Sequence, residues 1–136
     1  MFTKRFDGCS MNTETTFPQF DKYAREGDRI EWTREGFDFV ARLQHDTDTK
    51  PTDFDCYDAE DVTRWKNDEW FYVGVVLSVS RNGVELSDHA ASLWGIDCNF
   101  SDTSNTYLSE VAQELEAEAL DTARAEVVRI KQALEQ

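Results

Sequence analysis

Residues 70–86 read WFYVGVVLSVSRNGVEL. Trp70 to Ser80 is rich in valine and aromatic residues, which favour a pleated, buried strand, and Arg81-Asn82-Gly83 supplies the left-handed backbone of a tight turn. Val84-Glu85-Leu86 then starts a return strand. A hairpin of this kind needs more strands beside it to be stable, so the rest of the chain is searched for them. Immediately upstream, Ile30 and Trp32 alternate with Glu31 and Thr33, Glu35-Gly36 interrupts, and Phe37, Phe39, Ala41 and Leu43 alternate with Asp38 and Arg42. Period two on both sides of a turn predicts a second hairpin with one buried face. Downstream, Ala90 to Asp97 (AASLWGID) predicts a further strand, with Gly95 allowing a bulge or a close backbone approach.

Between the hairpins, residues 46–58 (DTDTKPTDFDCYD) hold Pro51 and five aspartates without any period, which predicts a loop. Asp58 is then placed to cap a short helix, with Asp61 in its first turn, Val62 and Trp65 facing inward, and Asn67-Asp68 ending it. Residues 98–105 are polar and read as a loop. From Thr106 the period becomes helical: Leu108, Val111, Leu115, Ala119, Ala123, Val127, Ile130 and Leu134 recur three or four apart with no Gly or Pro. At ~1.5 Å per residue such a helix measures about 44 Å, more than a small domain is expected to span, so its last apolar turns are expected to project. Near the start, Pro18, Phe20, Tyr23, Ala24 and Gly27 predict a short helix opened by proline and stopped by glycine. Residues 1–15 read as a loosely ordered N-terminal extension, and 16–136 as a single domain. The fold class is α+β: an antiparallel sheet of four or five strands, short helices, and one long C-terminal amphipathic helix.

Composition narrows the function. The 136 residues carry 28 Asp and Glu against 14 Lys and Arg, a formal charge of −14. Such a balance opposes phosphate backbones, so direct nucleic-acid binding is not expected. No apolar run approaches the ~20 residues of a membrane span, and no basic-plus-apolar leader opens the sequence. Cys9, Cys56 and Cys98 fit neither a disulfide framework nor a metal knuckle, and free thiols point to a cytoplasmic setting.

Catalytic and cofactor patterns are weak. The loop aspartates suggest calcium, but from Asp46 the turn-glycine position holds Pro51 and the twelfth holds Tyr57, so no metal site is expected. His45 with Cys56, and His89 with Cys98, are spacings that imply no contact. Phosphate-cradling glycine motifs are absent, and neither an enzyme nor a cofactor is expected. Trp32, Trp65, Trp70, Phe71, Tyr72 and Trp94 are read as core, with one or two of them left exposed as interface anchors.

Acidity is concentrated in two places. Asp46, Asp48, Asp53, Asp55 and Asp58 lie in the central loop, and Glu110, Glu114, Glu118 and Asp121 form a row along one side of the long helix. Like charges four residues apart cost an isolated helix a few tenths of a kcal/mol per pair, so the row is maintained against helix stability. Solubility is one explanation and a binding face is the other.

The run FDCYDAEDVTRWKNDEWFYVGVVLSVSRNGVELSDHAASLWGID, residues 54–97, resembles a group of small, mostly uncharacterised acidic proteins of bacteriophages and prophages. The similarity extends over about residues 37–120. It carries over no catalytic or binding residue. It implies a genomic setting in which accessory proteins counter host defences, including anti-CRISPR and anti-restriction proteins. Charge and setting together lead to the expectation of a non-enzymatic inhibitor that mimics nucleic acid on the basic surface of a nucleic-acid-handling defence protein. Its expected contacts are the nine acids just named, with no membrane partner. The competing expectation is an assembly module that forms a homodimer or docks through its long helix.

Overall fold

A computed structural model describes residues 17–100 and 105–135. The predicted extension at 1–15 lies outside the described residues. Four antiparallel strands form one sheet in sequence order: β1 (Arg29–Arg34), β2 (Phe37–His45), β3 (Phe71–Arg81) and β4 (Val84–Cys98). Both predicted hairpins are present. Glu35 and Gly36 turn the first with positive φ, and Asn82 and Gly83 do the same for the second, which is why these residue types stand there. Helix α1 (Ala59–Lys66) follows the central loop, and α2 (Thr106–Leu134) closes the described chain.

The alternation along β3 assigns the two faces of the sheet. Val73, Val75, Leu77 and Val79 join Phe37, Phe39, Ala41 and Leu43 of β2 beneath α2, which contributes Leu108, Ala112, Ala119, Leu120 and Ala123. This face is the main core. Tyr72, Gly74 and Val76 point the other way, where Phe54, Tyr57, Trp70 and Phe100 build a second, aromatic cluster. Buried Trp70 anchors it, with the indole N–H donating to the Asp61 carbonyl at 3.0 Å. The central loop and α1 therefore cover one end of the face opposite α2.

Three expectations are corrected. Residues 17–28 contain no helix. Phe20 and Ala24 are buried as the pattern requires, but their backbone is held from outside: Ser109 Oγ accepts from the Phe20 N–H, and the Asn99 amide bonds both the N–H and the carbonyl of Ala24. Of these groups a helix would bond the Ala24 N–H internally, and here Asn99 takes it instead. Second, Val84 to Cys98 is one strand rather than two. Its polar stretch Ser87-Asp88-His89 is absorbed in register irregularities, and a further bulge sets Trp94 and Gly95 opposite Gly74. Gly95 has φ +77°, as a bulge residue without a Cβ can.

Third, the end of α2 projects less than expected. Val127 and Ile130 pack half-buried against the core, while Leu134, at 80%, and Val128 beside the stripe are exposed. The sheet beneath it is shorter than the helix: bulges set the fifteen residues of β4 against the eleven of β3, about 36 Å at ~3.3 Å each, so only the last turn of the ~44 Å helix runs past it. Two side-chain ties fix α2 to the edge hairpin. Glu116, buried among apolar groups, accepts from the Trp32 indole N–H at 2.6 Å and pairs with Arg34, while Arg124 pairs with Glu35.

Candidate partner-binding surface

The loop acids do different jobs. Asp46 is buried: its carboxylate accepts from Thr49 Oγ1 at 2.7 Å, the Asp48 N–H at 3.0 Å and the Gly95 N–H at 3.0 Å. Burial alone raises its pKa, but the hydrogen bonds from Thr49, Asp48 and Gly95 outweigh burial and hold the carboxyl below its usual range. Asp46 is thus the peg that fastens the loop to the β4 bulge, not a freely exposed contact. Asp53 accepts from the Lys50 N–H at the short turn Pro51–Asp53. Asp58 caps α1 as predicted, in a reciprocal box with Asp61. Asp48 and Asp55 are exposed.

Glu110, Glu114, Glu118 and Asp121 all stand in solvent. At 100° per residue they fall on the side of α2 opposite Leu108, Ala112, Ala119 and Ala123, and they span about 16 Å of helix axis. From Thr106 to Asp121 the helix bears no Lys or Arg, and among the described residues none of the four forms an ion pair. The basic residues of α2 come later: Arg124 pairs with Glu35, and Arg129 with Glu126. The two acidic sets are not brought together. The helix row faces outward over one face of the sheet, and the loop acids lie over the other.

No family model, curated protein or solved structure matches the chain.

Four polar residues that organise this arrangement carry no distinguishing signal in the sequence. Asp97 accepts from the hydroxyls of Tyr57 and Tyr107, joining the aromatic cluster to the start of α2. Burial, then the neighbouring Tyr72 hydroxyl and the hydrogen bond to Asp97, push the Tyr57 hydroxyl far above its usual range, so it acts as a donor. Asn105, fully buried with φ +63°, donates to the Lys22 carbonyl and to Asn99 Oδ1, holding the 17–28 segment against the helix start. Glu116 is the fourth.

Of the six aromatics read as core, Trp94 is the exposed one, and Tyr23 and Phe54 are exposed as well. The Trp94 indole lies on the backbone of Gly74, so closely that a Cβ there would stand 2.3 Å from the ring, and its N–H donates to Ser92 Oγ at 3.2 Å. The outer ring surface remains open, at 41% exposure, beside a cleft of about 580 Å³ shared with the 45–49 turn. Cys98 is buried, which pushes its thiol up to about 12, with Asp28 and Asp97 adding to the effect. A thiol held so high is a core group rather than a nucleophile. Cys56 is exposed, and Cys9 lies outside the described residues. Among the described residues no three His, Cys, Asp or Glu side chains converge as metal ligands, and no helix is long and apolar enough to cross a membrane.

Proposed function

We propose that this protein is a non-enzymatic acidic inhibitor whose outward α2 face docks on the basic surface of a nucleic-acid-handling protein, in the manner of an anti-CRISPR or anti-restriction protein. The observation that carries the reading is the unopposed row of Glu110, Glu114, Glu118 and Asp121. Several other carboxylates build the fold: Asp46, Asp53, Asp58, Asp97 and Glu116 all hold specific donors. The four helix acids hold none among the described residues, and their like-charge spacing opposes helix stability. The phage-like wording of residues 54–97 supports the class of partner. Duplex DNA carries one charge per ~1.7 Å of axis, whereas the row carries one per roughly 5 Å. With the loop acids on the other face, the row works as a short basic-patch ligand rather than a replica of a duplex.

Pull-down from bacterial lysate at low and moderate salt tests this reading. The expected result is capture of a nuclease, polymerase or CRISPR effector component that falls away steeply with salt, since exposed charges are screened over ~8 Å at physiological ionic strength. Recovery of partners without any nucleic-acid-binding surface, or capture indifferent to salt, contradicts it.

A further inference from the structure

The Trp94 cleft lies on the face of the sheet away from α2, and the helix row does not account for it. Its geometry is built rather than incidental. The bulge sets Trp94 and Gly95 opposite a single residue, Gly74, whose missing Cβ makes room for the ring. The Asp46 carboxylate, bonded to the Gly95 N–H, locks the 46–49 turn beside that ring. The cleft is lined by the exposed indole of Trp94, the carboxylate of exposed Asp48, His45, and the bonded Asp46–Thr49 pair that holds the turn. No Lys or Arg lines the cleft among the described residues.

We propose that this cleft receives an arginine side chain of the protein partner, the guanidinium stacking on the open face of Trp94 with its edge toward the carboxylate of exposed Asp48. A planar, weakly hydrated guanidinium suits a single flat wall with charge at one side. A quaternary ammonium would need aromatic walls on several sides. A lysine ammonium keeps its water and gains less from the ring. The volume of about 580 Å³ holds an arginine together with part of its flanking backbone. The inference rests on the reading of the protein as a binder of basic surfaces, but it uses none of the α2 acids. It gives the partner a second, chemically specific contact that net charge does not supply.

The test is a titration of the full chain with fluorescein-labelled tetra-arginine and tetra-lysine peptides of equal charge at physiological ionic strength. The arginine peptide should bind about tenfold more tightly, the scale of a partly desolvated cation–π contact. Trp94→Leu should erase that preference. The triple change Glu110→Lys, Glu114→Lys and Glu118→Lys should weaken both peptides alike and leave the preference intact, which separates failure of this site from failure of the helix face. In proton–nitrogen spectra of the unaltered protein, the Trp94 indole resonance should move on addition of the arginine peptide while that of buried Trp70 stays. If Trp94→Leu does not fold, this resonance decides. Equal affinities for the two peptides, a preference surviving Trp94→Leu, or a motionless Trp94 resonance overturns the proposal.

Discussion

Replacing Gly74 by alanine is expected to destabilise the protein by about 2 kcal/mol, the middle of the range for forcing a methyl into a filled site. For a chain of this size that lowers the melting temperature by about 6–10 °C. The new Cβ would lie 2.3 to 2.7 Å from three ring atoms of Trp94, closer than any real contact. The strand is central and paired on both sides, so its backbone cannot retreat and the indole must swing off the sheet. Its contact with the backbone is then lost. Thermal melting of the two single variants and the double variant checks the cause: in a Trp94→Ala background the Gly74→Ala change should cost almost nothing. Strictly additive costs would mean that the ring is not what occupies the space.

Asp46→Ala should cost about 3 kcal/mol near neutral pH, because three donors lose a charged acceptor. The loss is shared between the loop and the bulge, since Thr49 and Asp48 belong to the turn and Gly95 to β4. The hydrogen bonds hold the native pKa below that of a free aspartate, so the stabilisation is fully present above about pH 4 and fades as pH falls through the native value. Denaturant melts across that range should show the gap between unaltered protein and Asp46→Ala narrowing in acid. A gap of constant size would show that the charged carboxylate is not the source of the stability.

Local chemistry explains what was legible in the sequence. Asn82-Gly83 and Glu35-Gly36 specify their turns through backbone conformations few other residues adopt, and Asp58 with Asp61 specifies a helix start within four residues. The long helix was legible because its apolar positions keep one period for eight turns. Phe20 and Ala24 misled because burial at a four-residue spacing suits a helix and an irregular segment pinned by Asn99 and Ser109 equally well. Asp88-His89 looked like a break because bulges, which let polar residues sit within a strand, depend on the partner strand.

The candidate surface was legible only as charge. Nothing near Asp46 in sequence announces Gly95, which lies 49 positions away and turns that aspartate from a surface acid into a structural peg. The sequence places nine acids in two groups, but which face of the sheet each group covers is decided by the alternation of Tyr72 and Val73 about β3 and by what packs on each side. Trp94 belongs to a set of six aromatics of which one or two are expected to stay exposed, and apolar character does not reveal which ring lies over a glycine with its other face open.

The central claim is that position, and not total charge, makes the α2 face a binding surface. The direct measurement is the affinity of two triple variants for the captured partner, with thermal melting as the control for folding. One carries Glu110→Lys, Glu114→Lys and Glu118→Lys; the other carries Glu31→Lys, Glu69→Lys and Glu85→Lys, all exposed and none of them on α2. Both change the net charge equally, and exposed substitutions of this kind cost little stability. The account predicts that the helix variant loses binding at least a hundredfold, as expected when about 3 kcal/mol of charge attraction becomes repulsion, while the other stays within about threefold. Equal affinities from two well-folded variants would contradict it and leave the acidity as a device for solubility.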